Sequence, residues 1–172
     1  DALLKRPDFH AFDYIGSYFI RFNVTKGPFK DVRVRHALTM ALDKRRITER
    51  ITRGGEKTAT HHTPPGVAGY RAPEGLAYDP NEARKLLAAA GFPGGKGFPR
   101  FNYLFNANAG GGAKTDEKIA VEIQSMWKQE LGIDVDQVVG PQLAQHHHLL
   151  LEPPAAGVER GTQGGVLDVV PA

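Results

Sequence analysis

From Ser17 the chain turns apolar: Tyr18, Phe19, Ile20, Phe22 and Val24 are aromatic or β-branched and almost continuous, which predicts a largely buried strand. Lys26-Gly27-Pro28 ends it, because proline donates nothing to a ladder and glycine opens a turn. Asp31 then stands as a helix N-cap. Val34, Ala37, Leu38, Ala41 and Leu42 follow it at helical spacing and make a single apolar stripe. Asp43 predicts the cap of a second short helix that faces inward through Ile47 and Ile51. Arg53-Gly54-Gly55 stops that helix, a basic last turn followed by glycine suited to the left-handed conformation.

Residues 56–79 read as loop. Asp79-Pro80 starts another helix, with a capping side chain and then proline at the first helical position. Its inner face is Ala83, Leu86, Leu87 and Ala90, and Gly91 closes it. Phe101 to Phe105 predicts a second strand after a glycine-rich turn. Thr115 to Leu131 predicts a long helix with Ile119, Ile123, Met126 and Trp127 on one side. Gly132 ends that helix, and Ile133 to Val139 predicts a third strand. Strands alternating with helices give an α/β class with a mixed sheet and flanking helices. After Gly140 the pattern weakens. Gln142 to Leu151 reads as a short helix, Val166 to Val170 as a short strand, and the Pro- and Gly-rich remainder as a partly disordered tail. The expected division is therefore 1–139 and 140–172.

Composition narrows the function classes. The chain of 172 residues carries a formal charge of +3 with its basic residues spread out, so no nucleic-acid stripe is present. The one dense run, Lys44-Arg45-Arg46, falls in a helix pattern and reads as a solvated face. The absence of cysteine excludes disulfides and thiol catalysis. No apolar run approaches the roughly 20 residues of a membrane span. The chain starts at Asp1 with no charged-then-apolar leader, as a processed protein or an internal piece would.

Candidate chemistry is sparse. His146-His147-His148 is conspicuous, but adjacent histidines on a helix fan out by about 100° each. A shared ion would need help from His61, His62, His10 or Glu152, so the triplet reads as incidental and no metal or cofactor is expected. Ser17 and Ser125 are the only serines, and neither sits in a Gly-x-Ser-x-Gly elbow. An ester or glycoside hydrolase of unusual type stays as the alternative reading, since nothing in the spacing of 19 acidic residues selects or excludes a carboxylate pair. Gly94-Gly95-Lys96-Gly97 and Gly110-Gly111-Gly112 lack the pattern of a phosphate loop and read as turns.

The run from Tyr18-Phe19-Ile20-Arg21-Phe22-Asn23 through Pro28-Phe29-Lys30-Asp31-Val32-Arg33-Val34-Arg35 to Ala41-Leu42-Asp43-Lys44 resembles the oligopeptide/dipeptide-binding family of bacterial ABC importers. Further blocks match in the family's order: Thr63-Pro64-Pro65-Gly66, Tyr78 to Leu87, Ala89-Ala90-Gly91-Phe92, and Ile119 through Trp127 to Val135. The resemblance covers about residues 10–137 and corresponds to the first part of the family's second lobe. It implies a non-enzymatic solute-binding component, periplasmic or cell-surface, that takes peptides or other small solutes and delivers them to an ABC permease. The family's Gln-Glu-Trp block and its aromatic-Asp segment, which anchors a peptide amine, are not found after Val135. A truncated lobe with an unrelated or frame-shifted end is therefore expected, along with homo-oligomers through exposed strand edges. Ligand contacts are expected at strand ends and in the long loop, at Tyr18, Asn23, His61, His62, Tyr70 and Asn106. Asp31, Arg33 and Arg35 suit a cap with surface or interdomain ion pairs.

Overall fold

In the computed structural model the described residues are 5–10, 16–64, 67–105, 113–139 and 147–150. Four strands, β1 (Ile20–Phe22), β2 (Phe101–Phe105), β3 (Val135–Val139) and β4 (His147–Leu150), form one sheet in the order β1-β4-β2-β3. β1 runs parallel to β4 and β2 parallel to β3, while β2 and β4 are antiparallel. The helices are α1 (Val32–Met40), α2 (Lys44–Ile47), α3 (Pro80–Ala89) and α4 (Ala113–Leu131). The expected α/β class with a mixed sheet is what forms.

The core grows from alternation in β2. Phe101, Tyr103 and Phe105 are buried, and Asn102 and Leu104 between them are half-buried. The inward row meets α4, whose buried Ile119, Ile123, Met126 and Trp127 follow a helical stripe. Aromatic rings run through this core in a connected string. Phe22 lies 5.6 Å from Phe29, Phe29 lies 5.1 Å from Phe101, and Phe101 and Tyr103 lie 5.9 and 6.1 Å from Trp127. Phe29 reaches the string because Gly27–Lys30 coils into a 3-10 turn that drives it fully inside.

The C-terminus of α1 shows how the elements are sewn together. Its last four carbonyls cannot all find partners within the helix. Ala37 O accepts from Ala41 N, and Thr39 O from Leu42 N. The Leu38 carbonyl accepts from the Trp127 indole N–H at 2.8 Å, and the Met40 carbonyl from Asp79 N at 3.0 Å. Asp79 then turns its side chain to the amides of Asn81 and Glu82 and caps α3. One helix end is thus closed by α4 and by the start of α3.

The two arginines after Asp31 stay within this unit. The Asp31 carboxylate accepts from Arg33 N at 2.8 Å as the cap of α1, and its second oxygen pairs with the Arg33 guanidinium at 2.6 Å. Arg33 also donates to the Ala89 carbonyl at the end of α3, and Arg35 donates to the carbonyls of Phe29 and Lys30. Of the cap and the surface or interdomain ion pairs expected here, the cap and a surface Asp31–Arg33 pair form, and the other contacts are ties within the lobe.

Four further expectations need correction. The first strand is three residues long and buries only Phe22, because β1 is an edge strand with one neighbour. The helix begun at Lys44 continues as a π-turn over Thr48–Thr52, and the left-handed residue that ends it is Arg53 (φ 54), one position before Gly54. The basic run there is not a plain solvated face: Arg46 pairs with Glu122 of α4 at 2.5 Å, and Lys44 donates to Ala59 O at 2.7 Å. His147–Leu150, within the stretch read as a helix, is the strand β4. Four residues fill the slot between β1 and β2, where each side offers free backbone groups, and that pairing overrides local helix preference. The sheet therefore draws on residues from both sides of the 139/140 division, whereas Val166 to Val170 lies outside the described residues.

Three variants test this account. Trp127→Phe is expected to lower stability by about 1–3 kcal/mol, the cost of leaving the buried Leu38 carbonyl without its donor; urea unfolding followed by circular dichroism measures it. Gly132 has φ 72, and a Cβ there would run into the Gly94 carbonyl. Gly132→Ala is therefore expected to cost more than about 1 kcal/mol, visible as a lowered Tm. The Arg33 guanidinium holds the Asp31 carboxyl below the ordinary carboxylate range. A carboxylate depressed in the folded state stabilises above its unfolded pKa of about 3.9 and loses that contribution as pH falls through the lower folded value. Asp31→Ala should cost about 0.5–2 kcal/mol at neutral pH. The gap to the unmodified chain should narrow below about pH 4.

Candidate functional site

At one end of the sheet, β1 begins, β2 finishes and α4 starts. The antiparallel sense of β2 against β4, and so against β1, brings these ends together. Tyr18 stands just before β1 and is 47% exposed. Its hydroxyl donates to Asp116 Oδ1 in the first turn of α4, at 3.4 Å. Among the described residues Asp116 is the buried charged one, at 2% exposure. A carboxylate in a first helical turn is favoured by the free amides and the dipole there. Beside it on β2, burial pushes the Tyr103 phenol well above its usual range, and the negative charge of Asp116 adds to the effect.

The long loop joins the same region through Phe19. The imidazole of His62 meets the Phe19 ring edge-on, with centroids 4.6 Å apart, and the Arg21 guanidinium carbon lies 5.3 Å from the centre of that ring. His62 is half-buried, as is His61, whose Nδ1 lies 2.8 Å from Thr60 Oγ1. Tyr18, His62 and Asp116 thus converge around the start of β1.

The other expected residues lie elsewhere. Asn23 is past the far end of β1, where its carboxamide oxygen accepts from Thr25 N at 3.1 Å and Thr25 Oγ1 at 2.7 Å. That is an Asx-type turn, which already explains an Asn at this position. Tyr70 is 50% exposed on a turn closed by its own N–H to Val67 O. Asn106 follows β2 directly and lies outside the described residues.

Sequence reasoning passed over Phe19, Arg21, Tyr103 and Asp116. Asp116 left one signal, an acid in the first turn of a helix after a glycine run. Its hydrogen-bond donor Tyr18 arrives from almost a hundred positions away, and nothing local reports that.

Two surface grooves stand apart from this cluster. One, of about 650 Å³, runs between the π-turn and α4 and is lined by Arg50, Ile51, Arg53, Lys114, Lys118 and Glu122 among others. The second, of about 270 Å³, holds Ser125 with Gln124, Lys128 and Asp134. No histidine lines the groove of Ser125, and the lysine that does, Lys128, is ion-paired with Asp134 at 2.7 Å. The hydrolase alternative finds no support. What the β1 end offers instead is recognition chemistry: phenols, an imidazole, an aromatic face and a carboxylate.

The comparisons with known proteins agree with this architecture. Residues 2–150 match the family described as bacterial extracellular solute-binding proteins, family 5 Middle. The chain is 38% identical over 128 residues to the periplasmic murein peptide-binding protein MppA of Escherichia coli, a match covering 70% of this chain and 22% of that protein. It is 36% identical over 129 residues to the periplasmic oligopeptide-binding protein OppA of Salmonella typhimurium, covering 72% and 23%. The solved structure of the Escherichia coli murein tripeptide binding protein MppA superposes with a TM-score of 0.62 at 33% identity, covering 76% of this chain and 27% of that one. The chain thus spans about a quarter of the length of the relatives it matches. With the sequence blocks, the backbone and the family match in agreement, the chain belongs to family 5 of the bacterial extracellular solute-binding proteins.

Proposed function

We propose that this chain is part of the solute-binding component of an ABC importer, a periplasmic or cell-surface protein that takes peptides or other small solutes and passes them to a membrane permease. The observation that carries the reading is the match over residues 2–150 to a family whose members include peptide-binding proteins. In this reading the chain contributes one wall of a ligand cleft, and the rest of the cleft belongs to sequence it does not contain. Tyr18, His61 and His62 form the candidate wall, and Asn106, outside the described residues, is proposed with them from its sequence position alone. Tyr70 contributes from the loop, and Asn23 serves the turn.

The division proposed from the sequence is a partial lobe over 1–139 followed by an unrelated or frame-shifted tail over 140–172. The family match to residue 150 and the strand at His147–Leu150 support extending the lobe beyond that division. Among the described residues β1 and β3 end the sheet, which favours self-association that light scattering would report.

Binding separates a wall from a whole site. Titrated with di- to pentapeptides, the chain is expected to bind in the millimolar range at best, with NMR shifts concentrated at Tyr18, His61 and His62. A micromolar Kd by calorimetry would mean a complete site and overturn the wall reading. Saturating millimolar peptide with no shift at those three residues would overturn their assignment.

A further inference from the structure

The connection from Gly54 to Tyr78 has no helix or strand among its described residues, yet its first half is held from three sides. Lys44 reaches out of the first turn of α2, and its Nζ donates to the Ala59 carbonyl at 2.7 Å. Gly75 approaches the Thr60 carbonyl so closely that a Cβ would overlap it. Two residues on, the His62 ring packs against Phe19 at 4.6 Å, with its Nε2 covered and without a hydrogen-bond partner among the described residues.

The lysine is the unusual member of this set. A lysine on a four-residue helix loses nothing by extending into water, where an ammonium is best solvated. Lys44 instead turns inward, and burial lowers its pKa from the ordinary value. A partly buried charge is tolerated where it gains a definite partner, and the partner here is a main-chain carbonyl three residues before His62. Asp43, next to it, is itself anchored: its side chain caps α2, and its N–H lies 3.3 Å from Met126 Sδ. The lysine therefore projects from a helix start tied to α4 and capped by Asp43 onto an otherwise irregular segment.

We infer that Lys44 is a positioning residue whose hold on Ala59 sets the histidine loop against β1, so that His62 and Phe19 form one continuous recognition face. The purpose of that face rests on the ligand-wall reading above, but the tether itself is tested without any ligand.

Lys44→Met keeps the aliphatic stem and removes the donor. In the folded variant, trypsin cleavage after Lys57 and Arg71 is expected to accelerate about tenfold, as local opening becomes more populated. The His62 ring resonances should also lose the ring-current displacement imposed by Phe19, while helical circular dichroism persists. Lys44→Arg, which keeps a donor, should recover much of both. Should Lys44→Met fail to fold, Lys44→Gln, whose shorter side chain stays polar but does not reach the Ala59 carbonyl, should produce the same two changes. Unaltered His62 resonances and cleavage rates in whichever variant folds would overturn the tether. A confirmed tether with no peptide-induced shift at Tyr18, His61 or His62 would leave it standing and overturn only the assignment of those residues to a ligand wall.

Discussion

The single indole of the chain sits where β2, α1 and α4 meet, and its two kinds of contact govern the packing around it. Its ring faces Phe101 and Tyr103 in tilted and edge-on arrangements, the geometries that aromatic quadrupoles favour. Its N–H goes to the Leu38 carbonyl, a group that the end of α1 leaves without an internal partner. The residue is fully buried, so losing that donor would strand a carbonyl where water cannot replace it. Met126, one position earlier, lies against the backbone of Asp43. Two consecutive side chains of α4 thereby set both the end of α1 and the beginning of α2. From that junction Lys44 reaches the loop, so the position of the histidines traces back to the same packing event.

Much of this was readable from residue order. The stripes of α1, α3 and α4 became buried faces, Asp31, Asp43 and Asp79 became caps, and Gly91 and Gly132 took positive φ where helices end. Each of these features is local: a side chain acts on an amide two or three residues away, or a period repeats within one helix. Failures came where a distant partner decided. The Ser17 to Val24 run has the composition of a buried strand, yet only Phe22 gains a full set of neighbours at a sheet edge. His147 to Leu150 reads as helix in isolation and becomes strand because β1 and β2 flank it.

The site was less legible than the fold for the same reason. Tyr18 and His62 were singled out as residues at a strand end and in a long loop, and they do converge, but through Phe19 and Asp116, which pattern alone treats as core or surface. Asn23 was drawn in by type and location, although its oxygen is committed to a turn. A polar residue after a strand has two explanations, turn chemistry and ligand contact, and its local sequence suits both equally well.

The blocks that mark the family have little to do with solute. Asp31 caps a helix, Arg33 crosses to the last turn of α3, Arg35 holds the 3-10 turn that seats Phe29, and Asp79 links α1 to α3. Each uses a charged or polar group to satisfy backbone atoms inside the lobe, where the requirement is the same whatever solute a member binds. Residues facing a cleft are free of that constraint and follow the ligand instead. A strong family match over a quarter of a binding protein therefore establishes how this portion folds more firmly than what the whole protein carries. The point where the two meet is Lys44, a residue of the family's helix block whose hydrogen bond lands on the loop that faces the proposed cleft.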